Sequence, residues 1–279
     1  ACEIGINYAH QSGAEEVMFL HVYSGSYIPP SFPFSSEILV DRGRGEGYAS
    51  IRSAYARAEA DFEKMCATMD CKMDSGELPR VKYDYMLREG LPEEEIIAFA
   101  QTYHPELIIM GTRGKKQKNM DMIGSVTAEI IELTNVPLLA VPEQITYYNL
   151  HKIRRFAFAT SFNQHDLIAF DRFVALMENY PQAEIQLFNI STSKNEWNEI
   201  RLSGINTYLK KQYPNLILDY TVLDDGDLLE AIEKFVKEKQ IDMIACSTHR
   251  RSMIMRIFSP DIARRMLFHG NTPLFVIPI

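Results

Sequence analysis

The chain repeats itself, and the repeat restricts its fold more than any other feature. Asn135-Val136-Pro137-Leu138 returns as Asn271-Thr272-Pro273-Leu274, so Pro137 and Pro273 stand 136 residues apart. Nearer the start, Val17 has its counterpart at Ile185, 168 residues on. Each copy alternates short apolar runs with longer segments of helical pattern. That alternation predicts strands and helices in turn, hence an α/β fold with parallel sheets. In the first copy strands are expected at 16–23, 80–87, 107–110 and 137–142, with helices at 1–12, 48–69, 92–103 and 126–133. In the second, strands are expected at 154–161, 184–190, 216–223, 241–246 and 273–277, with helices at 164–179, 195–213, 227–239 and 261–268. The stretch 143–152 (EQITYYNLHK) follows a complete strand and reads as a linker. The expected domains are therefore 1–142 and 153–279.

The register also predicts a defect. Carried back at the first offset, the strand that starts at Arg155 has its counterpart before Ala1. The first domain is thus expected to lack its opening strand, as in a chain cut short at its start. That strand is central in a sheet of this kind, and its loss would leave two rows of backbone groups unpaired. Between its first two strands the first copy is longer than the second, largely through the loop 24–47. The loop carries Pro29, Pro30, Pro33, Gly43, Gly45 and Gly47. Loops of this length are uncommon and often functional. Phe32 and Phe34 within it suit a lid or a partner contact, and equally suit local packing.

The density of apolar residues in 16–23 and 107–110 predicts strands buried on both faces, with His21 as a core histidine. A formal charge of −8 argues against a general nucleic-acid binder. No apolar run reaches the roughly 20 residues needed to cross a bilayer. Cys2, Cys66, Cys71 and Cys246 show no paired ligand spacing and read as reduced thiols of a cytoplasmic protein. The seven histidines form no His-x-x-x-His pair.

Chemistry is concentrated between Leu107 and Leu133. An apolar strand ends at Gly111, Gly114 follows, and Gly124-Ser125 opens a helix through Val126 and Thr127. Glycines let the backbone turn tightly and approach a ligand. Ser125 is placed to cap the helix. A helix start presents free N–H groups and the positive end of a dipole, which suit phosphate oxygens. Lys115, Lys116 and Lys118 add positive charge, or are simply a solvated loop. No Lys-Ser or Lys-Thr follows the glycines, so this is not a Walker A loop. The glycines also stand too far apart for a dinucleotide fingerprint.

Gly111, two residues, Gly114, nine residues, Gly124-Ser125, followed by Val126-Thr127 and the closing strand Pro137 to Pro142, resembles the nucleotide-binding signature of the universal stress protein family. The resemblance implies two tandem flavodoxin-like (Rossmann-like, adenine nucleotide alpha hydrolase-like) domains, packed as an intramolecular pseudo-dimer, with a homodimer as a further option. It implies ATP or a related adenine nucleotide as the ligand, with Mg or Mn held mainly by the phosphates. Val22 would then contact adenine through its backbone and Met110 would line the same pocket. Gly111, Arg113, Gly114, Gly124 and Ser125 would surround the phosphates, with Val126 and Thr127 at the helix start. The family's ATP-binding branch also uses an aspartate at the end of the opening strand, which has no counterpart here.

In the second copy Ser247 replaces Gly111, Arg250 replaces Gly114, Pro260 replaces Gly124 and Asp261 replaces Ser125. Side chains at glycine positions block close approach and Asp261 repels phosphate, so this copy is not expected to hold ATP. His249, Arg250, Arg251 and Arg256 are open to another anion or to a solvated loop. The function implied is nucleotide binding in a cytoplasmic stress response, with an unknown protein partner and no role for nucleic acid or membrane. No Ser-His-Asp set or metal cluster can be picked out from spacing. An efficient enzyme is not expected, though slow ATP hydrolysis is compatible. The alternative is an interaction or scaffold protein of the same fold that binds no nucleotide.

Overall fold

The computed structural model describes residues 1–23, 43–112, 125–142, 153–160, 164–177, 183–191, 196–224, 228–248 and 272–279. The loop 24–42, the linker 143–152 and the helix expected at 261–268 lie outside them. The chain divides into two compact units, Cys2–His104 and Pro105–Ile279, each taken here by itself.

The first unit contains α1 (Cys2–Ser12), β1 (Val17–Tyr23), α2 (Gly43–Asp74), β2 (Tyr83–Glu89) and α3 (Pro92–Tyr103). β1 and β2 pair in parallel from Val17 opposite Tyr83 to Tyr23 opposite Glu89. Parallel neighbours need a crossover, and α2 supplies it. Phe62, Met69 and Met73 recur at helical spacing on α2 and pack with Ile6, Phe19 and Leu78 as the core. Pro92 opens α3, with Glu93, Glu94 and Glu95 at the positive end of its dipole. One exposed carboxylate ties three elements together: Glu16 accepts from Lys82 Nζ at 2.8 Å and Tyr103 Oη at 3.0 Å. The Lys82 hydrogen bond, then that of Tyr103, holds the Glu16 carboxyl below its usual range.

The second unit is built on a seven-stranded sheet. Its elements are β3 (Ile108–Gly111), α4 (Ser125–Leu133), β4 (Leu138–Val141), β5 (Arg155–Ala159), α5 (Gln164–Leu176), β6 (Glu184–Ser191), α6 (Glu196–Gln212), β7 (Ile217–Asp224), α7 (Leu228–Lys239), β8 (Met243–Ser247) and β9 (Leu274–Ile277). The strand order is β3-β4-β9-β8-β5-β6-β7. Strands of the second repeat alone run β7-β6-β5-β8-β9, which is 3-2-1-4-5 within that repeat. This is the order of one Rossmann half rather than flavodoxin's 2-1-3-4-5. Of the two likenesses expected, the Rossmann-like one describes the sheet.

All neighbours in this sheet are parallel except β4 and β9. Leu139 sits opposite Phe275, with Leu138 opposite Val276 and Ala140 opposite Leu274. Leu139 and Phe275 are themselves counterparts in the repeat. The pairing is therefore self-complementary about that one pair, as in a two-fold interface. The core beneath is aromatic: Phe156, Phe158, Phe170, Phe173 and Phe275 are all fully buried. Phe173 meets Phe156 edge-on at 5.6 Å and Phe275 at 6.0 Å.

Two burial expectations are corrected. In β1 only Phe19 is buried, and His21 is exposed with its ring edge-on to Phe62. In β3, Ile108, Ile109 and Met110 are half-buried, whereas β4, β8 and β9 are buried throughout. Among the described residues β1 and β3 each have a strand neighbour on one side only. Apolar density marks a strand that wants cover on both faces; sheet position decides how much it receives.

Candidate functional site

The carboxyl end of β3 and the first turn of α4 form one compact constellation. β3 is set by its pairing with β4, from Ile108 opposite Leu138 to Gly111 opposite Val141. Past the strand, Thr112 N–H still donates to Val141 O at 2.9 Å, and Thr112 is buried. The α4 start is held against this strand end by one side chain. Thr127 is 2% exposed, and its Oγ1 donates to Gly111 O at 3.0 Å. The last carbonyl of the strand is thereby satisfied, and the N–H groups that open the helix stand beside it. α4 begins at Ser125, so Ser125 is the first residue inside the helix rather than its cap. At the other end Thr134 Oγ1 accepts from Val136 N–H at 3.0 Å, closing the helix before β4.

Met110, Gly111, Ser125, Val126 and Thr127 are thus brought together. Met110 and Val126 are half-buried and Gly111 is exposed. Arg113, Gly114 and Gly124 lie outside the described residues, as do Lys115, Lys116 and Lys118. Val22 belongs to the other compact unit, half-buried in β1 opposite Arg88.

The same strand ends in the second repeat are built differently. Ser247, which replaces Gly111, is fully buried, and its Oγ donates to Asp166 Oδ1 at 2.6 Å. Thr160, at the end of β5, reaches Asp166 Oδ2 at 3.4 Å through its own hydroxyl. Asn189 Nδ2 donates to Thr160 O at 2.6 Å. β5 and β8 flank the point where the strand order reverses, the crevice at which open α/β sheets take their ligands. There Asp166, 1% exposed, bridges the two strands from α5. Burial, and after it the Asp166 charge, pushes the neighbouring Cys246 thiol up, so it stays protonated. The substitution at Ser247 was visible in the sequence. Asp166 was not singled out, because an acid in the first turn of a helix is ordinary there. Only its distance to Ser247 marks it. Arg250, Pro260 and Asp261 lie outside the described residues.

Among the described residues no helix is long and apolar enough to cross a membrane. Among the same residues no group of three or more His, Cys, Asp and Glu could hold a metal ion.

Comparison with known proteins agrees with this architecture. The model of the universal stress protein family matches residues 1–142 and 191–278. Universal stress protein MJ0577 of Methanocaldococcus jannaschii is 32% identical over 133 residues, spanning 46% of this chain and 77% of that protein. A universal stress protein of Archaeoglobus fulgidus superposes with a TM-score of 0.70 at 15% identity, over 99% of this chain and 90% of its own. A protein of unknown function from Pseudomonas aeruginosa gives 0.54 at 10% identity, over 97% and 94%. At those identities the two structures speak to the fold alone. The chain belongs to the universal stress protein family.

Proposed function

We propose that this universal stress protein binds ATP or a related adenine nucleotide through the first repeat, in a cytoplasmic stress response. The observation that carries the reading is the bond from Thr127 to Gly111. It fixes a helix start, with its open N–H groups, against a strand end whose sequence continues as Arg113-Gly114 and returns at Gly124-Ser125. Backbone donors and the helix dipole suit phosphate oxygens. A Mg or Mn ion would be held mainly by those phosphates. Val22 and Met110 are proposed for the adenine side, and residues 1–142 and 153–279 as the two domains of a pseudo-dimer about Leu139 and Phe275.

Calorimetric titration of the full chain with ATP tests this, together with mass spectrometry for nucleotide carried through native purification. Gly114→Val puts a branched side chain where backbone must meet phosphate, and should weaken binding at least about tenfold, roughly 1.4 kcal/mol. No binding at millimolar ATP, or equal binding by Gly114→Val, would refute the reading. The second repeat favours a non-binding role for its own half, since Asp166 puts negative charge in its crevice. Were the first repeat also silent, the interaction-protein reading would take over.

A further inference from the structure

α6 is apolar on two sides. Its inner side carries Leu202 and Leu209, both buried. Its outer side carries Trp197, Ile200 and Tyr208, which are 65%, 59% and 52% exposed. With Gly204 between them these positions share one helical face. Large apolar side chains collected on one exposed face mark an interaction surface more than scattered ones do. Gly204 adds an independent sign. A glycine inside a helix weakens it, and here neither backbone nor packing asks for one. A Cβ at Gly204 would meet nothing within 4 Å, and its φ is not in the left-handed region. What the missing Cβ does provide is room for another surface to come close.

We propose that this face pairs with the same face of a second copy of the chain, α6 lying antiparallel to α6 about Gly204. The residue pattern is self-complementary, as a two-fold interface requires. Ile200 and Tyr208 stand four positions to either side of Gly204, so each meets the other across the pair. Trp197 and Lys211 stand seven to either side, which sets an ammonium against an indole face. Glu199 and Lys210 project from the same flank of the helix, both exposed. Antiparallel pairing brings the Glu199 of each copy to the Lys210 of the other, whereas parallel pairing would set like against like. A single helix pair covers less than the roughly 1,600 Å² of a standard stable interface. The association is therefore weak, and half complete at roughly micromolar concentration.

The chain holds one tryptophan, so emission reports on this face alone. Sedimentation velocity and tryptophan emission on the full chain, across a concentration series, should show dimer formation and a blue shift of Trp197 in step. Ile200→Glu and Gly204→Leu should each weaken dimerisation at least about tenfold, with circular dichroism confirming the fold. Glu199→Lys alone and Lys210→Glu alone should each self-associate about threefold more weakly. Mixed together, these two variants should dimerise at least as well as the parent. A chain that stays monomeric with unchanged emission overturns the proposal. So does a dimer indifferent to both Ile200→Glu and Gly204→Leu, or a mixture no better than its components.

Discussion

Thr127 is the residue on which the candidate site turns. Its hydroxyl is buried and satisfies the last carbonyl of β3. Thr127→Val keeps the shape and removes the donor, leaving Gly111 O short of a partner. Such a loss costs about 1–3 kcal/mol. Urea unfolding should show a lower midpoint for Thr127→Val and near-parental stability for Thr127→Ser. Equal stability of all three would mean that the helix start is held by other contacts. Tyr213 offers a pH test. Burial first, and then donation to Asp171 Oδ1 at 2.5 Å, pushes its phenol up to about 12. A folded value above the ordinary value of about 10 means the folded state keeps this proton longer. Its contribution is full below pH about 10 and is lost as pH rises through about 12. Tyr213→Phe should flatten that part of the alkaline stability profile and cost about 1 kcal/mol at neutral pH. An unchanged profile would contradict it.

Elements carry their own conflicts between local preference and packing. In α6 the glycine works against the helix, and nothing within the chain compensates. Gly204→Ala should therefore raise the stability of the dilute, monomeric chain by about 0.5–1 kcal/mol. Thermal unfolding at low protein concentration measures this; a destabilised variant would mean that Gly204 serves a contact inside the chain. β3 shows the opposite conflict. Its Ile108-Ile109-Met110 run has the composition of a central strand but sits half-buried, with β4 as its strand neighbour among the described residues. β8, its counterpart, has β5 on one side and β9 on the other and is buried throughout.

At the scale of the molecule the notable contact is the antiparallel pairing of β4 with β9, which joins strands of both repeats into one sheet. Leu139 and Phe275 face each other at its centre, 1% and 0% exposed. Leu139→Ala should cost about 2–5 kcal/mol and Phe275→Ala about 3–5 kcal/mol. Because the two residues are direct neighbours, their effects should not add. A double-mutant cycle in denaturant should give a coupling of about 0.5 kcal/mol or more. Strict additivity would show that the two repeats are not energetically joined there.

The sequence by itself determined the kind and order of the elements, the repeat, and the position of the phosphate-type helix start. Those features are local: periodicity reports which face of an element is apolar, and glycine spacing reports where backbone is left bare. Tertiary structure alone decided which strands adjoin, and so why β1 and β3 are half-exposed where their composition asks for cover. It also decided that His21 faces outward and that Asp166 closes the second crevice. Asp166 and Ser247 are 81 residues apart in the chain. Their hydrogen bond exists because the strand order brings β5 beside β8, and nothing in the periodicity of either segment encodes its neighbour.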